Sequence, residues 1–199
     1  MASPLVARKG RDLQRYEDHL RLVAGCIPYK ITEEPDHQSD DVIDKLQVLM
    51  ISSPGRHDFV FPKGGWEKDE TACEAARREA LEEAGVRGIL HEIELGQWVF
   101  RSKSSQVSCS QEGGCKGYMF AMKVTEELDC WPEQEVHGRK WVTVADAFKL
   151  CRYDWMREAL DLFVKQLYSN TMLSVRGLYE PTKFCFVKST AAEQAIALC

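Results

Sequence analysis

Apolar and polar positions along this 199-residue chain fall into blocks that predict a mixed set of strands and helices. Residues 21–31 (RLVAGCIPYKI) and 46–52 (LQVLMIS) are short runs rich in Val, Ile, Leu and Tyr, the pattern of buried strands. Between them, EEPDHQSDDVIDK carries six acidic residues and one lysine over thirteen positions, which predicts a solvated hairpin loop. The strand pattern returns in IELGQWVF (93–100), KGYMFAMKV (116–124) and KWVTV (140–144), with loops at 101–115 and in WPEQEVHGRK. A helical period begins near Ala145. A second follows Asp154, an expected N-cap, and sets Trp155, Ala159, Leu160, Phe163 and Leu167 on one face. The order predicts an α+β fold, an α/β/α sandwich around a mixed sheet. The expected organisation is an N-terminal extension over 1–19, one domain over 20–168 and a partly ordered tail over 169–199.

The most informative block is FPKGGWEKDETACEAARREALEEAGV, residues 61–86. Thr71 followed three positions later by Glu74 is a capping-box pattern, so a helix starts there, and Gly85 suits its left-handed end. Cys73, Ala76, Ala80 and Ala84 form a narrow face of small side chains, with Glu79, Glu82 and Glu83 beside it. Like charges at helical spacing destabilise by a few tenths of a kcal/mol per pair, roughly 0.2–0.5. The last turn of a helix disfavours anions as well. Such a cluster calls for a counterion, and carboxylate oxygens select a hard divalent cation such as Mg²⁺.

Composition narrows the class. With 44% hydrophobic and 29% charged residues and no apolar run near the roughly 20 needed to span a bilayer, a soluble protein without a membrane partner is expected. A net charge of −5 argues against general nucleic-acid binding. The eight cysteines lack metal-type spacing and predict free thiols in a reducing compartment, Cys109 and Cys115 being the one pair able to close a small loop. The first residues are basic, lack a secretory hydrophobic segment and turn acidic by Asp12 and Glu17. A cytoplasmic location is expected, with mitochondrial and nuclear addresses left open.

Gly64, Glu70, Arg78, Glu79, Glu82, Glu83 and Gly85 stand at the spacing G-x5-E-x7-R-E-U-x-E-E-x-G-U, with Ala80 and Val86 at the apolar U positions. At about 5–10% per residue type, seven fixed matches arise by chance on the order of once in a million such chains. The stretch resembles a Nudix box, and the chain resembles a Nudix hydrolase; Ala80, smaller than the usual Ile, Leu or Val, is its one mild departure. The resemblance implies Glu79, Glu82 and Glu83 as ligands of Mg²⁺ or Mn²⁺, with Gly64 offering a backbone carbonyl. It implies Glu70 and Arg78 as structural support, and Glu83 first, Glu79 second, as the base that activates water. A further acid from a late loop completes the site in several members. Glu133 and Glu135 are the candidates here.

RYEDHLRLVAGCIPY, FPKGGWE and GRKWVTVADAFKL resemble the branch of diphosphoinositol polyphosphate phosphohydrolases, whose plant-type relatives share the FPKGGWE wording and whose members also cleave diadenosine polyphosphates. Lys63 departs from the Pro-Gly-Gly wording of the animal branch. The resemblance implies a small polyphosphorylated substrate, and such a ligand needs several cations on different elements. Arg15, Arg21, Arg56, Lys63, Lys116, Arg139 and Lys140 are the candidates, together with the Gly65 backbone. Trp66, Phe100 and Tyr118 could stack on a base. The alternatives are hydrolysis of another nucleoside diphosphate derivative, such as ADP-ribose or capped RNA, and a non-catalytic binding module, which would be expected to have lost helix glutamates.

Overall fold

The computed structural model describes residues 6–32, 42–52, 57–101 and 114–175, with side chains described to residue 169. The chain divides into two units, Met1–Lys165 and Gln166–Cys199. The first holds a nine-stranded mixed sheet. Its strands are β1 (Tyr16–Glu17), β2 (Leu20–Ile31), β3 (Leu46–Ser52), β4 (Phe59–Val60), β5 (Lys63–Gly65), β6 (Val86–Leu90), β7 (Gly96–Arg101), β8 (Gly114–Glu127) and β9 (Arg139–Thr143). Three helices accompany them: α1 (Ala72–Ala84), α2 (Val144–Leu150) and α3 (Asp154–Val175), the last running on into the second unit.

The centre is the parallel pair β2 and β8, in register from Arg21 opposite Cys115 to Tyr29 opposite Lys123. A strand covered on both faces reads as a continuous apolar run, and Leu22 to Tyr29 are buried accordingly, without a break. Cys26, whose thiol is pushed up by burial and then by the charge of Glu83 on α1, and Tyr29, which packs on Phe163 of α3 with ring centroids 4.9 Å apart, differ by an odd number of positions. They therefore point to opposite faces of β2, and helices cover both. The expected α+β sandwich with a mixed sheet is the observed fold.

The expected hairpin joins β2 to β3 antiparallel, with Ile31 opposite Leu46; residues 33–41 of its loop lie outside the described residues. Four strands were not legible: β1 and β4 are two residues each. β5 is a three-residue strand hidden in the Lys-Gly-Gly stretch, and β6 has exposed Arg87 and Ile89 around Gly88, so it shows no apolar run. Strand β7 starts at Gly96, not Ile93, which stands exposed in the preceding turn. Asp154 is the first helical residue of α3. Residues 6–19 pack on the domain from Ala7 onward: Gln14 bridges to Glu67, and β1 pairs with β2. Cys26, Cys73, Cys130 and Cys151 are free thiols, and Cys109 lies outside the described residues. No helix among the described residues is long and apolar enough to cross a membrane.

Candidate active site

Local sequence builds α1. The Thr71 hydroxyl accepts from the Glu74 amide at 3.2 Å while the Thr71 amide donates to Glu74 Oε2 at 2.8 Å. Gly85 closes the helix at φ 62°, a conformation that strains residues with a Cβ. Ala75, Ala76, Ala80 and Ala84 are fully buried, so the small face lets the helix lie close over β2, β5 and β6; Cys73 is only half-buried.

Close approach turns the glutamates inward. Glu79 and Glu82 are 7% and 6% exposed, and Glu83 is half-buried. A Cβ at Gly64 would collide with the Glu79 carboxylate, so only glycine lets β5 pass there. The Lys63 amide donates to Glu83 Oε2 at 2.8 Å, and the Arg8 amide to Glu82 Oε1 at 3.2 Å. Burial, then the neighbouring Glu83, pushes Glu79 up to about 8. Burial also raises Glu82 against the pull of Arg78, and Glu83 against the pull of Lys63, its amide and His137. Burial pushes the Lys63 ammonium down while Glu83 pulls it back up. Three crowded oxygen donors that resist ionisation suit a divalent cation, whose charge removes that resistance.

Arg78 links the loop to this cluster. Its Nε and Nη2 grip Glu70 at 3.0 and 2.7 Å, Nη2 also donates to the Gly65 carbonyl at 2.7 Å, and Nη1 reaches Glu79 at 2.7 Å and Glu82 at 3.3 Å. Glu70, 9% exposed, accepts the Glu67 amide as well.

The end of α1 is held by a loop distant in sequence. Four successive carbonyls that a helix cannot bond internally find partners in residues 128–139. Glu82 O accepts from the Glu133 amide at 3.0 Å, Glu83 O from Trp131 Nε1 at 3.2 Å, Ala84 O from Arg139 Nη1 at 3.1 Å, and Gly85 O from Arg139 Nη1 and the Leu128 amide. Arg139 lies over the Trp131 ring at 4.3 Å and brings a cation to a last turn that has no basic residue of its own. The loop also carries Glu133 and His137 to Glu83, with His137 Nε2 3.9 Å from Glu83 Oε1; Glu135 stays exposed. Sequence reasoning missed Arg8, Trp131 and His137. The one available signal was Glu133 and His137 four positions apart.

The expected substrate cations are dispersed. Arg15 donates to the carbonyls of Glu67, Lys68 and Glu70 and lies over Trp66, so it braces the loop. Lys116 pairs with Glu17 at 3.0 Å, and Arg139 belongs to the helix end. Lys140, next along β9, alternates to the face opposite Arg139; it is also among the residues, with Gln47, Val142, Asp146 and Lys149, that line a shallow cavity of about 400 Å³. Arg56 lies outside the described residues. Arg21 bonds only the neutral Gln14 oxygen among the described residues, at 2.7 Å, and a Cβ at Gly65 would collide with Gln14. Arg21 and Lys63 lie on the paired strands β2 and β5. Trp66 donates to Glu70 O and carries Arg15 and Tyr118 against its ring, while Phe100 stacks on Trp155 at 4.9 Å.

The NUDIX domain family model matches residues 41–163. The chain is 62% identical over 167 residues to Nudix hydrolase 13, mitochondrial, of Arabidopsis thaliana, covering 82% of this chain and 83% of the relative. It is 59% identical over 166 residues to Nudix hydrolase 12, mitochondrial, of the same plant, covering 82% of each. Among solved structures, the C. elegans Ap4A hydrolase binary complex superposes with a TM-score of 0.56 at 21% identity, covering 74% of this chain and 98% of that one, a likeness of fold. On the family model and these relatives, the chain belongs to the Nudix family and is a Nudix hydrolase.

Proposed function

We propose that this chain is a divalent-metal-dependent pyrophosphohydrolase that cleaves a phosphoanhydride in a diphosphoinositol polyphosphate, with diadenosine polyphosphates as the second substrate class. The observation that carries the reading is the complete, inward-turned set Glu79, Glu82 and Glu83 beneath the bare Gly64 backbone. A binding module has no use for three carboxylates held against their preferred state of charge.

The donor set fits Mg²⁺ or Mn²⁺, held by Glu79, Glu82 and Glu83 with the Gly64 carbonyl; when bound, the ion neutralises phosphate oxygens and acidifies the attacking water. The chain's own residues do the rest. Glu83, less buried than Glu79 and not gripped by Arg78, takes the water's proton. Arg78 and Glu70 hold the loop against α1, and Lys63 and Arg21 meet the anionic substrate. Trp66 and Phe100 already pack within the protein, which favours a phosphate-rich ring over a base as the recognised group. The names of the two Arabidopsis relatives favour a mitochondrial address over the cytoplasmic default, which localisation of a full-length fluorescent fusion would test.

A panel of a diphosphoinositol polyphosphate, diadenosine polyphosphates and ADP-ribose, assayed with Mg²⁺ by product analysis, tests the substrate. The highest kcat/KM is expected for the inositol compound; preference for ADP-ribose would reject both proposed classes. Changing Arg21 and Lys63 together to alanine is expected to raise KM for the inositol substrate about tenfold or more, as loss of charge-assisted bonds of about 1.5 kcal/mol or more predicts. Lys140→Ala should leave KM within about twofold, and the reverse pattern would move the binding face.

The raised carboxylates also set a pH dependence. A folded-state value of about 8 for Glu79 against an ordinary 4.5 means that the folded protein binds more protons than the unfolded one. The stability tied to this group is complete below about pH 4.5 and is lost as pH rises toward 8. The metal-free protein should therefore melt lower at pH 8 than at pH 5.5, by on the order of 5 °C. Added Mg²⁺ should stabilise more at pH 8 than at pH 5.5. Thermal denaturation in EDTA and in Mg²⁺ checks both, and a Mg²⁺ effect independent of pH would contradict the assignment.

A further inference from the structure

The loop that secures α1 brings a nitrogen donor to a site otherwise made of oxygens. His137 Nδ1 lies 2.8 Å from the Ser52 carbonyl oxygen. A carbonyl has no proton to give, so Nδ1 carries the ring hydrogen and donates it. That fixes the ring and turns Nε2 toward two carboxylates, 3.5 Å from Glu133 Oε2 and 3.9 Å from Glu83 Oε1. One ligand atom from each residue lies within 4.8 Å of the others.

Three such atoms, all acceptors in the neutral imidazole, need positive charge between them. A proton on Nε2 is one answer, but charge-assisted N–H···O bonds run to about 2.7–2.9 Å, shorter than either separation here. An ion roughly 2.0–2.2 Å from each ligand places them about 3–4 Å apart, which these distances match. The supporting contacts are those of a metal-binding histidine, whose second ring nitrogen commonly donates to a backbone carbonyl. Each ligand is held from outside the trio as well: Glu83 by the Lys63 amide, Glu133 through its own amide on Glu82 O, and His137 by Ser52.

We propose that Glu83, Glu133 and His137 form a mixed nitrogen–oxygen position that takes a transition-series divalent ion, of the manganese or zinc class, in preference to magnesium. Imidazole is a poor donor for Mg²⁺ and a good one for transition metals, whereas an all-carboxylate site does not discriminate in that way. The position rests on the reading that the helix glutamates hold metal, and it adds to them a ligand that the helix motif does not contain.

Mn²⁺ is the probe, because electron spin-echo modulation detects a directly bound ¹⁴N. Full-length protein loaded with Mn²⁺ is expected to show nitrogen coupling that disappears in both His137→Gln and His137→Ala. Glutamine retains an amide N–H for Ser52, so circular dichroism and melting of that variant separate ligand loss from misfolding. The Mn²⁺ dissociation constant should rise about tenfold or more in His137→Gln, while that for Mg²⁺ changes less than about twofold. Bound Mn²⁺ without nitrogen coupling, but displaced by Glu79→Gln, would overturn the His137 position and leave the carboxylate site standing. Failure of the wild-type protein to bind Mn²⁺ would overturn both.

Discussion

Glu83→Gln is expected to lower kcat by about 10²- to 10⁴-fold and, in the metal-free protein at pH 8, to raise the melting temperature. The first effect follows from removing a proton acceptor beside the attacking water, a contribution usually of that size. The second follows from the environment: Glu83 is pushed up by burial, so its charged form is disfavoured in the fold. Glutamine can still accept the Lys63 amide that Glu83 Oε2 receives at 2.8 Å, and it carries no charge to bury. A gain in stability with a loss of turnover is the mark of a group placed for chemistry. Melting in EDTA and steady-state turnover in Mg²⁺ read the two effects. Turnover within about threefold of wild type, under roughly 1 kcal/mol of barrier, would remove Glu83 from the mechanism.

Arg78→Ala is expected to destabilise the fold most. It leaves Glu70 and Glu79 without their guanidinium partner and takes the Nη2 donor from the Gly65 carbonyl. Breaking a buried pair from one side costs about 3–5 kcal/mol, most of it from the charge left uncompensated. The sign of its pH dependence is set by Glu79. At low pH Glu79, pushed up to about 8, takes up a proton and that part of the penalty fades, so the variant should lose more stability at pH 8 than at pH 5. Arg78→Lys should recover little, because an ammonium cannot reproduce the two-pronged grip on Glu70. Urea denaturation of wild type and both variants at the two pH values measures this, and a loss under about 1 kcal/mol at pH 8 would reduce Arg78 to a surface charge.

Most of α1 could be read from the sequence because its determinants are local. Thr71, Glu74 and Gly85 specify the ends within fifteen residues of chain, and the alanine spacing specifies the buried face. The position of the glutamates followed from helical geometry alone. What lay beyond reach depended on contacts between distant segments. Trp131 reaches Glu83 O across 48 positions, and His137 reaches Ser52 O across 85. Nothing in the residue types of WPEQEVHGRK distinguishes such a clasp from a solvated loop. The surroundings of the cations were out of reach for a related reason. Strand register sends neighbouring Arg139 and Lys140 to opposite faces, and composition cannot show that Arg15 already serves three loop carbonyls. The strands β1, β4, β5 and β6 escaped because the first two are two residues long, β5 is three residues of Lys and Gly, and β6 is interrupted by exposed positions.

The central claim is that hydrolysis depends on a divalent ion held by Glu79, Glu82 and Glu83. Its most direct test is phosphate release from a diphosphoinositol polyphosphate by protein stripped with EDTA and then titrated with Mg²⁺. The account predicts no release above background from the stripped protein, recovery on adding Mg²⁺, and no recovery in Glu79→Gln/Glu82→Gln/Glu83→Gln that remains folded. Release that persists in EDTA, or that survives the triple substitution, would contradict it.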